Sequence, residues 1–180
     1  MDIINIISLT LLLSVATIFD LRVYRIPNVL TYSFMLFGLI CNTCLNGFEG
    51  TAFSIIGTIT GIGLLFIPYL FGWIGAGDAK LLGAIGAFIG AMDVFVAFIF
   101  SALIGGIYAI FVMVLFRDKF REFFSMLRQT AVNIIVERKL TFMPISTKGR
   151  RPRLCYGIAI AAGTGIYMML QLNSIEIFTL

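Results

Sequence analysis

Apolar runs long enough to cross a bilayer recur along this chain, and they restrict its fold before any single residue is considered. The runs fall at about 3–19, 29–45, 51–72, 79–91, 94–116 and 155–172, separated by short polar connections and one long one. A helix crossing a hydrocarbon core of about 30 Å needs roughly 20 apolar residues, and in lipid its backbone polar groups must be satisfied within the segment. Composition agrees: 60% of the 180 residues are hydrophobic and 12% are charged, and mean hydropathy is +1.05. The expectation is an all-α, polytopic membrane protein with about six transmembrane helices, one domain over residues 1–180. The first run follows Asp2 instead of a basic stretch and precedes further spans, so it reads as a retained helix and not a secretory signal.

Charge orients these spans. The connection 117–154 carries Arg117, Lys119, Arg121, Arg128, Arg138, Lys139, Lys148, Arg150, Arg151 and Arg153, which predicts a cytoplasmic location. The stretch 79–116 reads either as one long tilted helix or as two helices turning at 90–93. Two crossings place every Lys and Arg on one side and leave Asp2, Glu49, Asp93 and Glu176 on the other. Six spans are therefore expected, with the regions 20–28, 73–80 and 117–154 cytoplasmic. Within the long connection, Phe120, Phe123, Phe124, Leu127, Ala131, Ile134 and Ile135 recur at helical spacing beside basic residues. That pattern predicts an interfacial helix attracted to anionic lipid headgroups, which accounts for the net charge of +4 without nucleic acid. A solvated connector is the plainer reading of the same stretch.

Several chemistries are excluded by absence. The chain has no histidine and three cysteines, Cys41, Cys44 and Cys155. Ser-His and Cys-His nucleophile pairs, histidine metalloprotease motifs and a four-ligand structural zinc site are all out of reach. Cys41 and Cys44 lie in an apolar run and read as small packing residues. Carboxylates are the strongest remaining acid-base candidates, and neither cofactor nor metal is expected.

Two segments hold such carboxylates at span ends. Asp20 closes the first span ahead of Leu21-Arg22-Val23-Tyr24-Arg25-Ile26-Pro27-Asn28. Pro27 suits a helix first turn, where its missing N-H costs nothing. Asp78 lies in Gly75-Ala76-Gly77-Asp78-Ala79-Lys80-Leu81, whose glycines permit a sharp turn and close approach. Each aspartate also has a structural explanation. Asp20 could pair with Arg22 or Arg25, Asp78 could cap a helix, and Lys80 could snorkel to the interface. The functional reading gains weight because both carboxylates fall on the same predicted side, at the ends of spans one and four, and because span four is short. Roughly 20 Å of helix would recess Asp78 or thin the bilayer. Gly57-x-x-x-Gly61, Gly86-x-x-x-Gly90 and Ala159-x-x-x-Gly163 offer close helix contacts.

On these residues the chain resembles the type IV prepilin peptidases, the leader peptidases of pilins and archaellins, which are related in mechanism to presenilin-type proteases. An aspartate shortly before Ile-Pro-Asn is matched by Asp20 with Ile26, Pro27 and Asn28. A Gly-x-Gly-Asp motif followed by a small residue and Lys-Leu is matched by residues 75–81. Weaker similarity lies in Cys155-Tyr156-Gly157-Ile158-Ala159-Ile160-Ala161-Ala162-Gly163, with Ile158 where the family often has proline. The four-cysteine cytoplasmic segment of longer members is missing near the first motif. Peptidase activity therefore carries over better than methyltransferase activity, and the short layout is similar to the tight-adherence pilus-assembly peptidases or the archaeal enzymes.

The resemblance implies an intramembrane aspartic endopeptidase with Asp20 and Asp78 as catalytic residues, and Pro27, Asn28, Gly75, Gly77 and Lys80 shaping the site. It implies prepilin-like membrane substrates cut after a short basic leader at the cytoplasmic face. Two carboxylates close together in a partly dry site share one proton, supplying an acid and a base at once. Either aspartate could take either part. A carboxylate-dependent transporter and a non-catalytic assembly protein are the competing readings. The first predicts transport without cleavage, the second only mild effects of Asp20→Asn and Asp78→Asn.

Overall fold

The computed structural model describes residues 3–71, 74–115 and 156–172. Contacts divide the chain into two compact units, Met1–Gly105 with Cys155–Leu180, and Gly106–Leu154. Of the second unit only the helical stretch ending at Leu115 is described, so the expected interfacial helix and basic connection lie outside the described residues, as does Cys155. Both aspartates and the residues expected to shape their site belong to the first unit.

All regular structure among the described residues is helical: α1 Ile3–Val23, α2 Asn28–Leu70, α3 Ala76–Leu115 and α4 Tyr156–Leu172. By length and composition α1, α2 and α3 can each cross a membrane, and α4 is a shorter apolar helix. The all-α membrane class holds, with three long apolar helices and a fourth shorter one where about six separate helices were expected, two of the long ones interrupted by a glycine of non-helical conformation. No loops separate the expected spans at 46–50 and 92–93. A single such glycine stands inside each of those two elements instead, Gly47 at φ 58, ψ −134 in α2 and Gly90 at φ 81, ψ −178 in α3. These dihedrals belong almost exclusively to glycine.

Both elements fold back at these glycines. In α2 the Asn42 amide donates to Ser54 Oγ at 3.1 Å, twelve residues on, and Ser54 Oγ reaches the Gly38 carbonyl at 3.3 Å, sixteen residues back. A straight helix would hold those pairs roughly 18 and 24 Å apart. In α3 the neighbours of each arm reveal the fold. A methyl on Gly77 would lie 3.3 Å from Ile26, the Ile26 side chain lies equally near a methyl on Gly157, and a methyl on Gly105 would meet the Tyr156 ring at 2.7 Å. Gly77 and Gly105 are therefore near the same end of the bundle, whereas a straight helix would part them by roughly 42 Å.

The arm of α3 before Gly90 is the centre of the bundle. Residues 81–90 are all buried, with Leu81, Leu82, Ala84, Ile85 and Ala87 fully so. Hydrophobicity on every side is what a helix enclosed by other helices requires. Lipid is as apolar as leucine, so the bundle is held by close packing rather than by exclusion of water. Small residues supply it: a methyl on Gly57 would overlap the Gly86 carbonyl and the reverse, and one on Gly61 would overlap the carbonyl of Leu82. On the other arm of α3, Ser101 occupies the space a methyl on Gly163 of α4 would need. The exposed surface is rich in large apolar side chains, including Ile3, Val29, Phe48 and Met92, as a lipid-facing surface requires.

Candidate active site

Asp20 is placed by the last turn of α1. That helix ends at Val23, and Tyr24 adopts a left-handed conformation, φ 53, while its N-H donates to the Asp20 carbonyl at 3.0 Å. This is a terminating turn of the αL kind. The chain then runs through Ile26, buried, to Pro27, whose extended ψ of 133 places it just outside α2. Pro27 therefore stands one position before the first helical turn in which it was expected. Its carbonyl accepts the Thr31 N-H at 3.3 Å, so α2 starts immediately after it.

Asp78 lies inside the first turn of α3 and not at its boundary. Its carboxylate Oδ2 accepts the Gly75 N-H at 3.2 Å, and its own N-H donates to the Gly75 carbonyl at 3.1 Å. This is the reach-back of a capping box from the third helical position, so the structural role anticipated for Asp78 is real and occupies one of its oxygens. Gly75 has room for little else, since a methyl there would sit 3.3 Å from that same oxygen.

The two segments, far apart in sequence, meet. Gly77 packs against the Ile26 backbone and side chain. Lys80 Nζ donates to Asn28 Oδ1 at 2.9 Å and stands 4.9 Å from the centre of the Tyr32 ring, a cation-π distance. The Asp20 and Asp78 carboxylates are near enough to act on each other electrostatically. Asp20 is 6% exposed and Asp78 half-buried, so both stand in a partly dry environment. Of the expected residues, Gly77 is thus joined to the first motif by packing and Asn28 to Lys80 by a hydrogen bond, while Gly75 serves Asp78 directly.

A third segment completes the arrangement. The backbone N-H groups of Gly157 and Ile158, in the first turn of α4, face the Asp20 carboxylate. A methyl on Gly157 would lie 2.7 Å from Asp20 Oδ2, so only glycine lets α4 come this close. First-turn N-H groups have no partner within a helix and suit a carboxylate. Gly157 and Ile26 were not among the expected site residues. The signal for Gly157 was its place in the Tyr156-Gly157 run, where nothing in the local pattern says which carboxylate it approaches.

This geometry can set two carboxyl groups against one reacting centre at the end of a helical bundle. Comparisons with curated proteins and with solved structures give no match. The sequence profile of the type IV leader peptidase family matches residues 7–110, a stretch that contains both aspartates and both motifs. The chain belongs to the type IV leader peptidase family.

Proposed function

We propose that this membrane protein, as a single peptidase domain over residues 1–180, is an aspartic endopeptidase that removes the basic leader from prepilin-like proteins. Asp20 and Asp78 are its catalytic residues, and no cofactor takes part. The observation that carries this reading is the meeting of the two motifs: Gly77 against Ile26, Lys80 on Asn28, and the two carboxylates within electrostatic reach. Neighbouring carboxyl groups are a general way of holding an acid and a base together.

One carboxylate takes a proton from water as its oxygen attacks the scissile carbonyl, and the protonated partner donates to the carbonyl oxygen. The neutral gem-diol intermediate then collapses: the leaving amine takes the proton that the first carboxylate removed from water as the C-N bond breaks, and a diol hydroxyl returns its proton to the second carboxylate as the carbonyl reforms. The carboxyls thus return to their starting state. Gly157 and Ile158 orient Asp20, and Gly75 orients Asp78. Pro27, Asn28, Gly75, Gly77 and Lys80 shape the site rather than react.

The folds at Gly47 and Gly90 favour six crossings of the inner membrane, with the aspartates at the cytoplasmic end, where anionic lipid is the expected neighbour. A prepilin-like helix then reaches the site from within the bilayer, its leader on the same side. Cleavage is tested by mixing the purified full chain in detergent with such a substrate and mapping the cut by mass spectrometry. A single cut at the junction of leader and apolar helix is the expected product. An intact substrate under conditions where the enzyme is folded contradicts the proposal.

A further inference from the structure

At the end of the bundle away from the aspartate pair, where α2 and α3 fold back, a cavity of about 390 Å³ is lined by Asn5, Asn42, Asn46, Glu49 and Asp93 among apolar neighbours. This polar lining has no part in the peptidase reading. Its chemistry is weighted toward oxygen acceptors. The Asn42 amide nitrogen is already committed to the Gly38 carbonyl at 3.2 Å, to Ser54 Oγ at 3.1 Å and to the Ala87 carbonyl at 3.0 Å, leaving its oxygen as what it can offer a ligand. Asn5 is 5% exposed, and its side-chain oxygen has no hydrogen-bond partner. A buried amide oxygen left unpaired in a membrane bundle is destabilising, and a ligand at this place would satisfy it. Asp93 is held from behind: the Tyr167 hydroxyl faces it as a donor and itself accepts from Gln171 Nε2 at 3.0 Å.

We infer that this cavity binds a hard divalent cation of the calcium class through the oxygens of Asn5, Asn42, Asn46, Glu49 and Asp93, with water completing the shell. Two carboxylates balance a divalent charge, and carboxamide and carboxylate oxygens are the donors such an ion takes. Among the described residues no three carboxylate, cysteine or histidine side chains gather to hold a metal ion, so the proposed shell rests on two carboxylates and three carboxamides, hard oxygen donors that do not suit soft metals. The cavity exceeds one ion in size, and its remaining volume suits retained water. The bound ion would join Asn5 of α1, both arms of α2 around Gly47, and α3 just after Gly90, pinning the turns.

The test is isothermal titration of the purified full chain in detergent with Ca²⁺, Mg²⁺ and Na⁺ separately, alongside thermal unfolding with each ion. One Ca²⁺ per chain is expected, with a Kd on the order of 10⁻⁴–10⁻³ M as for other open, low-charge sites, and a raised Tm. Asp93→Asn and Glu49→Gln should each weaken Ca²⁺ at least about tenfold and abolish the shift. Glu49 is exposed, so its variant remains a fair test if Asp93→Asn fails to fold. Absence of saturable Ca²⁺ binding, a preference for Na⁺, or unchanged Ca²⁺ binding in Glu49→Gln overturns the assignment. None of these readouts depends on cleavage.

Discussion

Asp20 and Asp78 are held by different backbones, and the difference makes their surroundings separately testable. Gly157 is where the α4 backbone meets Asp20. Gly157→Ala puts a methyl 2.7 Å from its Oδ2, so either the carboxylate or the helix must shift. A displacement of this kind at a group with the catalytic role proposed for Asp20 costs about 10²-fold in rate. The expected result is a fall in kcat with helical content by circular dichroism unchanged; unaltered turnover would mean that α4 does not position Asp20. The Lys80-Asn28 bond is a lesser matter. A double-mutant cycle of Lys80→Ala and Asn28→Ala, read by thermal unfolding in detergent, should give a coupling of about 0.5–1 kcal/mol. Both aspartates stood out in the chain as carboxylates at span ends on one expected side of the membrane, and the resemblance of their flanking Ile26-Pro27-Asn28 and Gly75-Ala76-Gly77 to a peptidase family singled them out. Gly157 did not stand out, since its importance arises from an approach between helices that local spacing does not encode.

Among the elements, the glycines at the two folds do what loops were expected to do. Gly90 combines a positive φ with contact to the Phe53 ring, which a methyl would overlap. Gly90→Ala should therefore destabilise by roughly 1–3 kcal/mol from backbone strain alone, with overlap added. Thermal unfolding in detergent should show Phe53→Leu recovering part of the loss in the double variant. Gly47 has the same sign of φ but open space around it, so Gly47→Ala should cost only the strain and be the milder change. Apolar periodicity locates the arms of α2 and α3 within a few residues. It is blind to the fold itself, which takes one residue and leaves the hydropathy nearly unbroken. Hydropathy consequently gives six runs where the helical ladder gives four elements. The beginning of α3 shows a similar shift: Asp78 looked like a first residue but reaches back from inside the turn to Gly75, and the carboxylate pattern before an apolar run is common to both arrangements.

For the whole molecule, the fold-backs at Gly47 and Gly90 put the polar cavity and the aspartate pair at opposite ends of the bundle. The proposed six crossings then predict that a reporter fused after Asn46 lies outside and one fused after Arg128 lies inside; finding both on one side contradicts that arrangement. Two acids distant in sequence act as a unit in the proposed mechanism. Single-turnover cleavage of a prepilin-like substrate by wild type, Asp20→Asn, Asp78→Asn and the double variant tests that coupling most directly. Each single change is expected to lower the rate at least about 10²-fold, and the double change to add little, because half of an acid-base pair is as inactive as none. Near-normal cleavage by either single variant, or losses that multiply in the double, would contradict it.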